Sequence, residues 1–324
     1  MQTRFSPIKI TQASFEKDAL DTFQYQAVHC KVYTEYIQLM GVNPTTVSSI
    51  SDIPFLPIRF FKSHHVVCEN LPPQKLFTSS STGGTGESQH LVTDISLYEE
   101  SFRKCFEQFY GLLKDWCILA LLPNYLEREG SSLVYMADKL ITDSRHPHSG
   151  FFLNDINKLN DTISKLETSK QKTLLLGVSY ALLDFAEQFP QQLQNTTVME
   201  TGGMKGHREE LSKAGLHEQL CKGFGVAQIH SEYGMTELLS QAYSQGSGIY
   251  ETQAWMRVFV RDMNDPLNIA TTGRGALNVI DLANQYSCSF IATDDAALLH
   301  ENGSFEILGR LDFSDMRGCS LLYV

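Results

Sequence analysis

Apolar residues along the chain follow helical spacing in some stretches and strand-like runs in others. Residues 11–40 carry apolar side chains at mixed three- and four-residue spacings, which predicts a helix that Gly41 and Pro44 end. Residues 42–75 hold five prolines around one short apolar run, so we expect an extended connector. Asp94 is placed to cap a further helix, because its side chain can accept from the first free N–H groups.

Short apolar runs that end at turn or helix signals predict the strands of a sheet. They lie at residues 117–122, 173–176, 196–200 and 226–230. Helical patterns follow the second and third runs, and strands that alternate with helices favour a mainly parallel sheet. From residue 255 onward the pattern changes to strands and turns, which indicates a smaller β-rich subdomain.

The fold class predicted by these patterns is α/β. We expect mainly parallel sheet layers covered by helices, with the smaller β-rich subdomain toward the C-terminus. Three segments follow from this reading. Residues 1–75 form an N-terminal helical segment and connector, residues 76–250 an α/β core, and residues 251–324 the β-rich subdomain.

Composition and charge exclude some classes of function. The net charge is −11, which argues against nucleic-acid binding as the main role. No apolar stretch approaches the ~20 residues of a membrane span, and residues 1–10 lack the pattern of a secretory signal. The seven cysteines are odd in number and form no C-x-x-C pair, so we expect reduced thiols and a cytoplasmic location.

A loop rich in hydroxyls and glycines is the first candidate for chemistry. It reads Thr78-Ser-Ser-Ser-Thr-Gly-Gly-Thr-Gly86. Glycines let backbone N–H groups approach an anion closely, and hydroxyls add further donors, as a triphosphate requires. The alternative is a flexible surface linker. The loop is not a P-loop, because Glu87 and Ser88 follow where that motif needs a lysine and a hydroxyl.

Four motifs occur in one order along the chain. They are Ser81-Thr-Gly-Gly-Thr-Gly86, Tyr233-Gly-Met-Thr-Glu237, Ala292-Thr-Asp-Asp295 and Gly309-Arg-Leu-Asp312. The set resembles the adenylate-forming superfamily of acyl-CoA synthetases, luciferases and peptide-synthetase adenylation domains. The resemblance implies an enzyme that uses ATP and Mg²⁺ to convert a carboxylic acid into an acyl-adenylate. The 76–250 core would then bind the nucleotide, and residues 251–324 would end at the hinge motif.

The resemblance also implies roles for individual residues. Tyr233 and Gly234 would contact the adenine, Asp295 would accept from the ribose hydroxyls, and Arg310 would donate to the ribose or a phosphate. Thr236 would offer its hydroxyl to the α-phosphate, and Glu237 would hold Mg²⁺ against the phosphates. The remaining cofactor-binding residues implied are those of the phosphate loop and of the adenine edge: Ser81, Thr82, Gly83, Gly84, Thr85, Gly86, Gly202 and Gly203.

The sequence departs from the superfamily pattern in two places. The superfamily continues past the hinge into a mobile domain that supplies a lysine, whereas this sequence ends 12 residues after Asp312. We therefore expect that domain to be absent. Gln89 and His90 stand where a basic residue usually closes the phosphate loop. His90 either substitutes for that residue or is a loop histidine with its hydrogen bonds satisfied.

Nearly the whole chain resembles one branch, the acyl-protein synthetases of bacterial bioluminescence (the LuxE-type family). The resemblance includes the ending Gly309-Arg-Leu-Asp-Phe-Ser-Asp-Met-Arg-Gly-Cys-Ser320. It implies activation of a fatty acid, acyl transfer to Cys319 and delivery to a partner acyl reductase. A thiolate beside Arg317 suits this chemistry; the alternative for Cys319 is a small apolar residue in a final strand.

Two other functions stay open from the sequence. One is an enzyme that makes the adenylate but transfers the acyl group to coenzyme A or a carrier protein. The other is an ATP-binding regulatory module without catalysis, which the expected absence of the lysine-bearing domain favours.

Overall fold

The computed structural model describes residues 9–68, 72–79, 86–123, 130–202, 211–262 and 265–311. Within these ranges no helix has the length and apolar character needed to cross a bilayer. All six cysteines within the same ranges are free thiols, as expected from their spacing.

Two consecutive helices form the N-terminal segment in place of the single predicted one. They are α1 (Phe15–His29) and α2 (Lys31–Leu39). Cys30 separates them, because its extended backbone, with φ of −97° and ψ of 97°, interrupts the helical hydrogen bonds. The connector that follows contains the short strand β1 (Leu56–Pro57) and the one-turn helix α3 (Phe60–Ser63).

A hairpin and a long helix follow the connector. The strands β2 (Lys75–Thr78) and β3 (Gln89–Val92) pair in antiparallel fashion on either side of the Ser/Thr/Gly-rich loop. The sequence reading missed both strands. Helix α4 (Ile95–Tyr110) then begins where predicted, with the Asp94 carboxylate accepting from the Ser96 N–H at 3.1 Å.

The central sheet has six strands in the order β5-β4-β6-β7-β8-β9. Its first five strands pair in parallel, and β9 is antiparallel to β8. The strands are β4 (Cys117–Leu121), β5 (Gly150–Phe151), β6 (Thr173–Val178), β7 (Thr196–Thr201), β8 (His230–Tyr233) and β9 (Ala242–Ser244).

Helices cover both faces of this sheet. They are α5 (Ser132–Ser144), α6 (Ile156–Thr168), α7 (Ser179–Gln188) and α8 (Lys213–Phe224). Successive residues of β4 belong to different cores: Ile118 and Ala120 pack with α4 and α5, while Leu119 and Leu121 pack with α6, α7 and α8. This alternation follows from the period of two along a strand.

A second sheet, mainly antiparallel, occupies the C-terminal part of the described chain. Its strand order is β10-β15-β14-β13-β11-β12, and β1 adds to β14 in parallel. The strands are β10 (Ile249–Tyr250), β11 (Met256–Arg261), β12 (Ile269–Ala270), β13 (Gly273–Asp281), β14 (Phe290–Leu299) and β15 (Phe305–Arg310). The predicted α/β class with a β-rich subdomain is confirmed.

One predicted strand is wrong in its position. The apolar run at 226–230 precedes the strand, and β8 begins only at His230, which pairs with Met199 of β7. Gly225 ends α8 in the left-handed conformation, with φ of 64°. The next four residues then carry the chain from the helix cap to the sheet. The division of the chain at residues 75 and 250 stays a prediction.

Phe290 joins the N-terminal helices to the β-rich sheet. Its ring, fully buried, lies 6.0 Å from the ring of Phe23, 6.1 Å from that of Tyr33 and 6.2 Å from that of Phe55. We expect Phe290→Ala to lower the free energy of unfolding by about 3–5 kcal/mol, because it leaves a cavity in this cluster. Urea unfolding measures the loss. Leu39→Ala is the control, since Leu39 is 88% exposed; equal losses in the two variants would contradict this packing.

Candidate active site

Eight of the site residues predicted from the sequence lie in the described part of the chain. They are Gly86, Gly202, Tyr233, Gly234, Thr236, Glu237, Asp295 and Arg310. The other seven, Ser81, Thr82, Gly83, Gly84, Thr85, Gly203 and Cys319, lie outside the described residues.

Two neighbouring parallel strands deliver part of the site to one edge of the sheet. Thr201 at the end of β7 pairs with Glu232 near the end of β8. Gly202 and Gly234 therefore leave the sheet side by side, at the carboxyl ends where ligands bind in such folds. A Cβ at position 234 would overlap the Glu232 carboxylate, so a larger residue there would require that buried side chain to shift.

A hydrogen bond connects β8 to the second sheet. The Tyr233 hydroxyl donates to Asp295 Oδ2 at 2.7 Å, although the two residues are 62 positions apart. Asp295 on β14 pairs with Arg310 on β15, and Arg310 Nε lies 3.7 Å from Asp295 Oδ1. Burial raises the pKa of the Asp295 carboxyl, against the opposing effects of Tyr233 and Arg310. The Arg310 side chain is 84% exposed and therefore accessible to an anion.

Thr236 and Glu237 follow in the turn after β8. Glu237 is only 5% exposed, and burial raises the pKa of its carboxyl against a hydrogen bond from the Ser88 side chain. Arg310 and Lys62 oppose that rise by their charges. A bound cation would stabilise the ionised carboxylate in the same way.

A divalent cation at Glu237 would take most of its ligands from elsewhere. Within the described residues, no three His, Cys, Asp or Glu side chains gather closely enough to hold a metal ion. Mg²⁺ is commonly held by one or two carboxylates together with phosphate oxygens and water. The donor set around Glu237 fits that mode of binding.

His90 lies inside the protein. Its side chain is fully buried, with Nδ1 2.8 Å from the Thr236 carbonyl and Nε2 3.1 Å from Asn284 Oδ1. Burial lowers the pKa of the ring to about 4, so the ring is neutral near pH 7. This matches the alternative of a satisfied histidine and not that of a cationic phosphate ligand.

Sequence reasoning missed two buried acids beneath the edge, Glu200 and Glu232. Glu200 accepts from Ser179 Oγ at 3.2 Å and pairs with Lys213. Burial raises its pKa, but contacts with His217 and Lys213 outweigh the burial and leave it lowered. Glu232 accepts from the Thr201 hydroxyl on the adjoining strand. For Glu200, an acid at the end of an apolar run is the signal that could have identified it, whereas Glu232 lies in a polar strand and gave no such signal.

Comparisons with known proteins place the fold. No family model matches the sequence, and no curated protein matches it. Among solved structures, ATP-bound MatB from Rhodopseudomonas palustris matches with 17% identity and a TM-score of 0.56, over 75% of this chain and 49% of that one. The chain thus spans about half the length of MatB.

Two structures of a 2-hydroxyisobutyryl-CoA ligase match over more of the chain. The open conformation, in complex with 2-HIB-AMP and CoA, has 14% identity and a TM-score of 0.63 over 97% of this chain and 80% of that one. The postadenylation state with R3-HIB-AMP has 14% identity and a TM-score of 0.65 over 94% and 70%. At identities this low, the structural matches establish the fold alone, and this chain shares that fold with these ligases.

The titration of Glu232 yields a pH-dependent stability. Burial raises the pKa of this carboxyl from 4.5 to about 7. The folded state therefore holds the proton over a range in which the unfolded state has lost it, and stability falls as pH rises from about 4.5 to 7. At ~1.4 kcal/mol per pKa unit, this one group destabilises the fold by up to about 3 kcal/mol above pH 7.

Glu232→Gln tests this account, because an amide does not ionise. We expect the variant to gain stability relative to the wild type between pH 5 and pH 8, measured by urea unfolding at each pH. A difference between the two proteins that stays constant across this range would show that Glu232 is ionised throughout.

Proposed function

We propose that this chain activates a carboxylic acid with ATP, forming an acyl-adenylate and pyrophosphate. The observation that carries the proposal is the convergence of separate motifs at one edge of the sheet. Tyr233, Asp295 and Arg310 come from two sheets and are joined by a hydrogen bond and an ion pair. Gly202 follows the strand next to β8, and the charge of Arg310 acts on Glu237. MatB, which was solved with ATP, and a CoA ligase, which was solved with an acyl-AMP, have the same fold as this chain.

The nucleoside would bind between β8 and β14. The Tyr233 ring lies beside Gly234 and offers a flat face for the adenine, while Asp295 accepts from the ribose hydroxyls. The hydrogen bond from Tyr233 to Asp295 holds these two side chains next to each other. Arg310, exposed next to Asp295, donates to the ribose or a phosphate oxygen.

The triphosphate would extend toward the hairpin. Gly86 lies at one end of the Ser/Thr/Gly-rich loop, whose residues Ser81 to Thr85 complete the proposed set of backbone and hydroxyl donors. Gly203 would line the adenine beside Gly202. Thr236 would offer its hydroxyl to the α-phosphate. Glu237 would hold Mg²⁺, which would neutralise charge on the phosphates.

The reaction has two steps. An oxygen of the substrate carboxylate attacks the α-phosphorus, a new P–O bond forms, and the bond to the β-phosphate oxygen breaks with release of pyrophosphate. A thiolate then attacks the carbonyl carbon of the acyl-adenylate, and AMP leaves as the thioester forms. Donors at fixed positions around the α-phosphate stabilise the charge of the first transition state.

We propose Cys319 as the thiol and a fatty acid as the substrate. The support is the resemblance of nearly the whole sequence to acyl-protein synthetases, which also implies a partner acyl reductase. The cytoplasmic location rests on the pattern of the cysteines. Coenzyme A is the second candidate acceptor, because one of the ligases that share the fold was solved with CoA. A regulatory module that binds ATP without catalysis is the remaining alternative.

Replacement of the proposed metal ligand tests the first step. We expect Glu237→Gln to slow Mg·ATP-dependent pyrophosphate release by about 100-fold or more, since the neutral amide no longer holds the cation against the phosphates. A coupled pyrophosphate assay with a panel of fatty acids and 2-hydroxyisobutyric acid measures the rate. The control is Glu218→Gln, the same chemical change at an exposed position of α8. Unchanged release in Glu237→Gln would exclude the metal role.

Mass spectrometry tests the acyl acceptor. After incubation with Mg·ATP and the same acids, we expect the intact protein to gain one acyl mass that hydroxylamine removes. Cys319→Ala should lack the adduct, while Cys221→Ala, a half-buried thiol on α8, should retain it. Pyrophosphate release without an adduct, and an acyl-CoA product on addition of coenzyme A, would favour the second acceptor. Neither adduct nor pyrophosphate with any acid would favour the regulatory module.

A further inference from the structure

Two buried side chains, His90 and Asn284, contact the backbone carbonyls of Thr236 and Glu237. His90 Nδ1 lies 2.8 Å from the carbonyl oxygen of Thr236. Asn284 Nδ2 donates to the carbonyl oxygen of Glu237 at 2.9 Å. The two side chains also contact each other, with His90 Nε2 3.1 Å from Asn284 Oδ1. Two consecutive peptide carbonyls thus each contact one of two neighbouring buried side chains.

The orientation of Asn284 is determined by its other contacts. Its Nδ2 donates also to the Cys288 carbonyl at 3.0 Å, so the amide nitrogen faces two acceptors and Oδ1 must face His90. The Asn284 carbonyl in turn accepts from Gln26 Nε2 on α1 at 2.9 Å. The side chain is 1% exposed and cannot rotate without losing these bonds.

His90 shares its strand with a residue that touches the proposed metal ligand. Ser88 directly precedes β3, and its side chain lies close enough to the Glu237 carboxyl to oppose the rise of its pKa. The same serine closes the hairpin, since its N–H donates to Ser79 Oγ at 2.9 Å and its carbonyl accepts from the Ser79 N–H at 3.1 Å. One stretch of chain therefore contacts the phosphate-loop base, the Glu237 carboxyl and the Thr236 peptide.

We propose that His90 and Asn284 are positioning residues that set Thr236 and Glu237 relative to the hairpin bearing the phosphate loop. The proposal rests on the proposed function, because it concerns how those two residues meet Mg·ATP. Because buried side chains hold both carbonyls, the Thr236 and Glu237 side chains keep one placement relative to the hairpin. A Glu237 side chain held in that placement would be ready to hold Mg²⁺ when the nucleotide binds.

The chemistry of the ring makes the pair sensitive to substitution. The neutral ring carries one hydrogen but faces two acceptors, the Thr236 carbonyl and Asn284 Oδ1. With that hydrogen on Nδ1, the ring donates to the Thr236 carbonyl, and Nε2 faces Asn284 Oδ1 with no hydrogen between them. An asparagine places its amide nitrogen near the position of Nδ1, so His90→Asn can keep the bond to Thr236. His90→Leu fills similar space and donates nothing.

The experiment measures binding of α,β-methylene-ATP by titration calorimetry, with and without Mg²⁺. We expect His90→Leu to weaken binding in Mg²⁺ by about tenfold or more, the effect of one lost buried hydrogen bond, with little change in the absence of Mg²⁺. His90→Asn should recover most of the lost affinity, and Asn284→Ala should behave like His90→Leu. Equal Mg²⁺ dependence in His90→Leu and the wild type would overturn the proposal.

Ser287→Ala is the matched control for a purely structural effect. Ser287 lies in the same 281–289 loop and donates a buried bond of 2.6 Å to the Val66 carbonyl, away from the motif. We expect this variant to lower the melting temperature while it keeps the Mg²⁺-dependent affinity. If it loses that affinity as His90→Leu does, the effect is one of general stability and the positioning role is wrong.

A second measurement separates this proposal from the proposed function. If the wild type does not bind the analogue in Mg²⁺, the proposed function fails, and hydrogen exchange at the amides of residues 235–240 decides the role of the pair. Faster exchange there in His90→Leu and Asn284→Ala, but not in Ser287→Ala, would support positioning of the segment. Unchanged exchange in His90→Leu would exclude it.

Discussion

One buried carboxylate attaches the segment after β8 to the β-rich sheet. Asp281, at the end of β13, has no exposed surface, and its oxygens accept from the Leu239 N–H at 2.7 Å, the Ser240 hydroxyl at 2.6 Å and the Ala283 N–H at 3.1 Å. The first two donors belong to the chain that has just left β8. Because a buried carboxyl is costly unless its acceptors are filled, this contact fixes the segment after Glu237 against the β-rich sheet. The geometry of the candidate site depends on that attachment.

Burial changes the balance of charge around the site. The chain carries a net charge of −11, yet the proposed ligand is an anion. Burial raises the pKa values of Glu232, Glu237, Asp281 and Asp295. Acids of this kind either hold a proton or gain from a nearby cation. A magnesium ion that arrives with the phosphates is therefore compatible with an acidic protein.

Much of the fold could be predicted from local pattern. The start of α4 followed from the capping residue Asp94, and the strands β4, β6 and β7 followed from their apolar runs. The hairpin could not be predicted. Each of its strands has only four residues, and the loop of hydroxyls and glycines between them shows no alternation of polar and apolar positions. The strand placed at 226–230 was wrong because an apolar run does not show where backbone pairing begins.

The site could be predicted only through the order of its motifs. No spacing rule brings Tyr233 to Asp295 across 62 residues, and their proximity depends on how two sheets pack. Asn284 and Glu232 gave no separate signal, since their roles arise from contacts with distant backbone atoms. For His90 the sequence left two alternatives, and its burial between Thr236 and Asn284 distinguishes them.

The hairpin has a further consequence for the entropy of ligand binding. Bringing two ends of a flexible segment together costs conformational entropy, which grows with the logarithm of its length. Here the pairing of β2 with β3 and the bonds between Ser79 and Ser88 have already fixed the ends of the glycine-rich segment. That part of the cost falls on folding and not on the binding of a ligand at the hairpin.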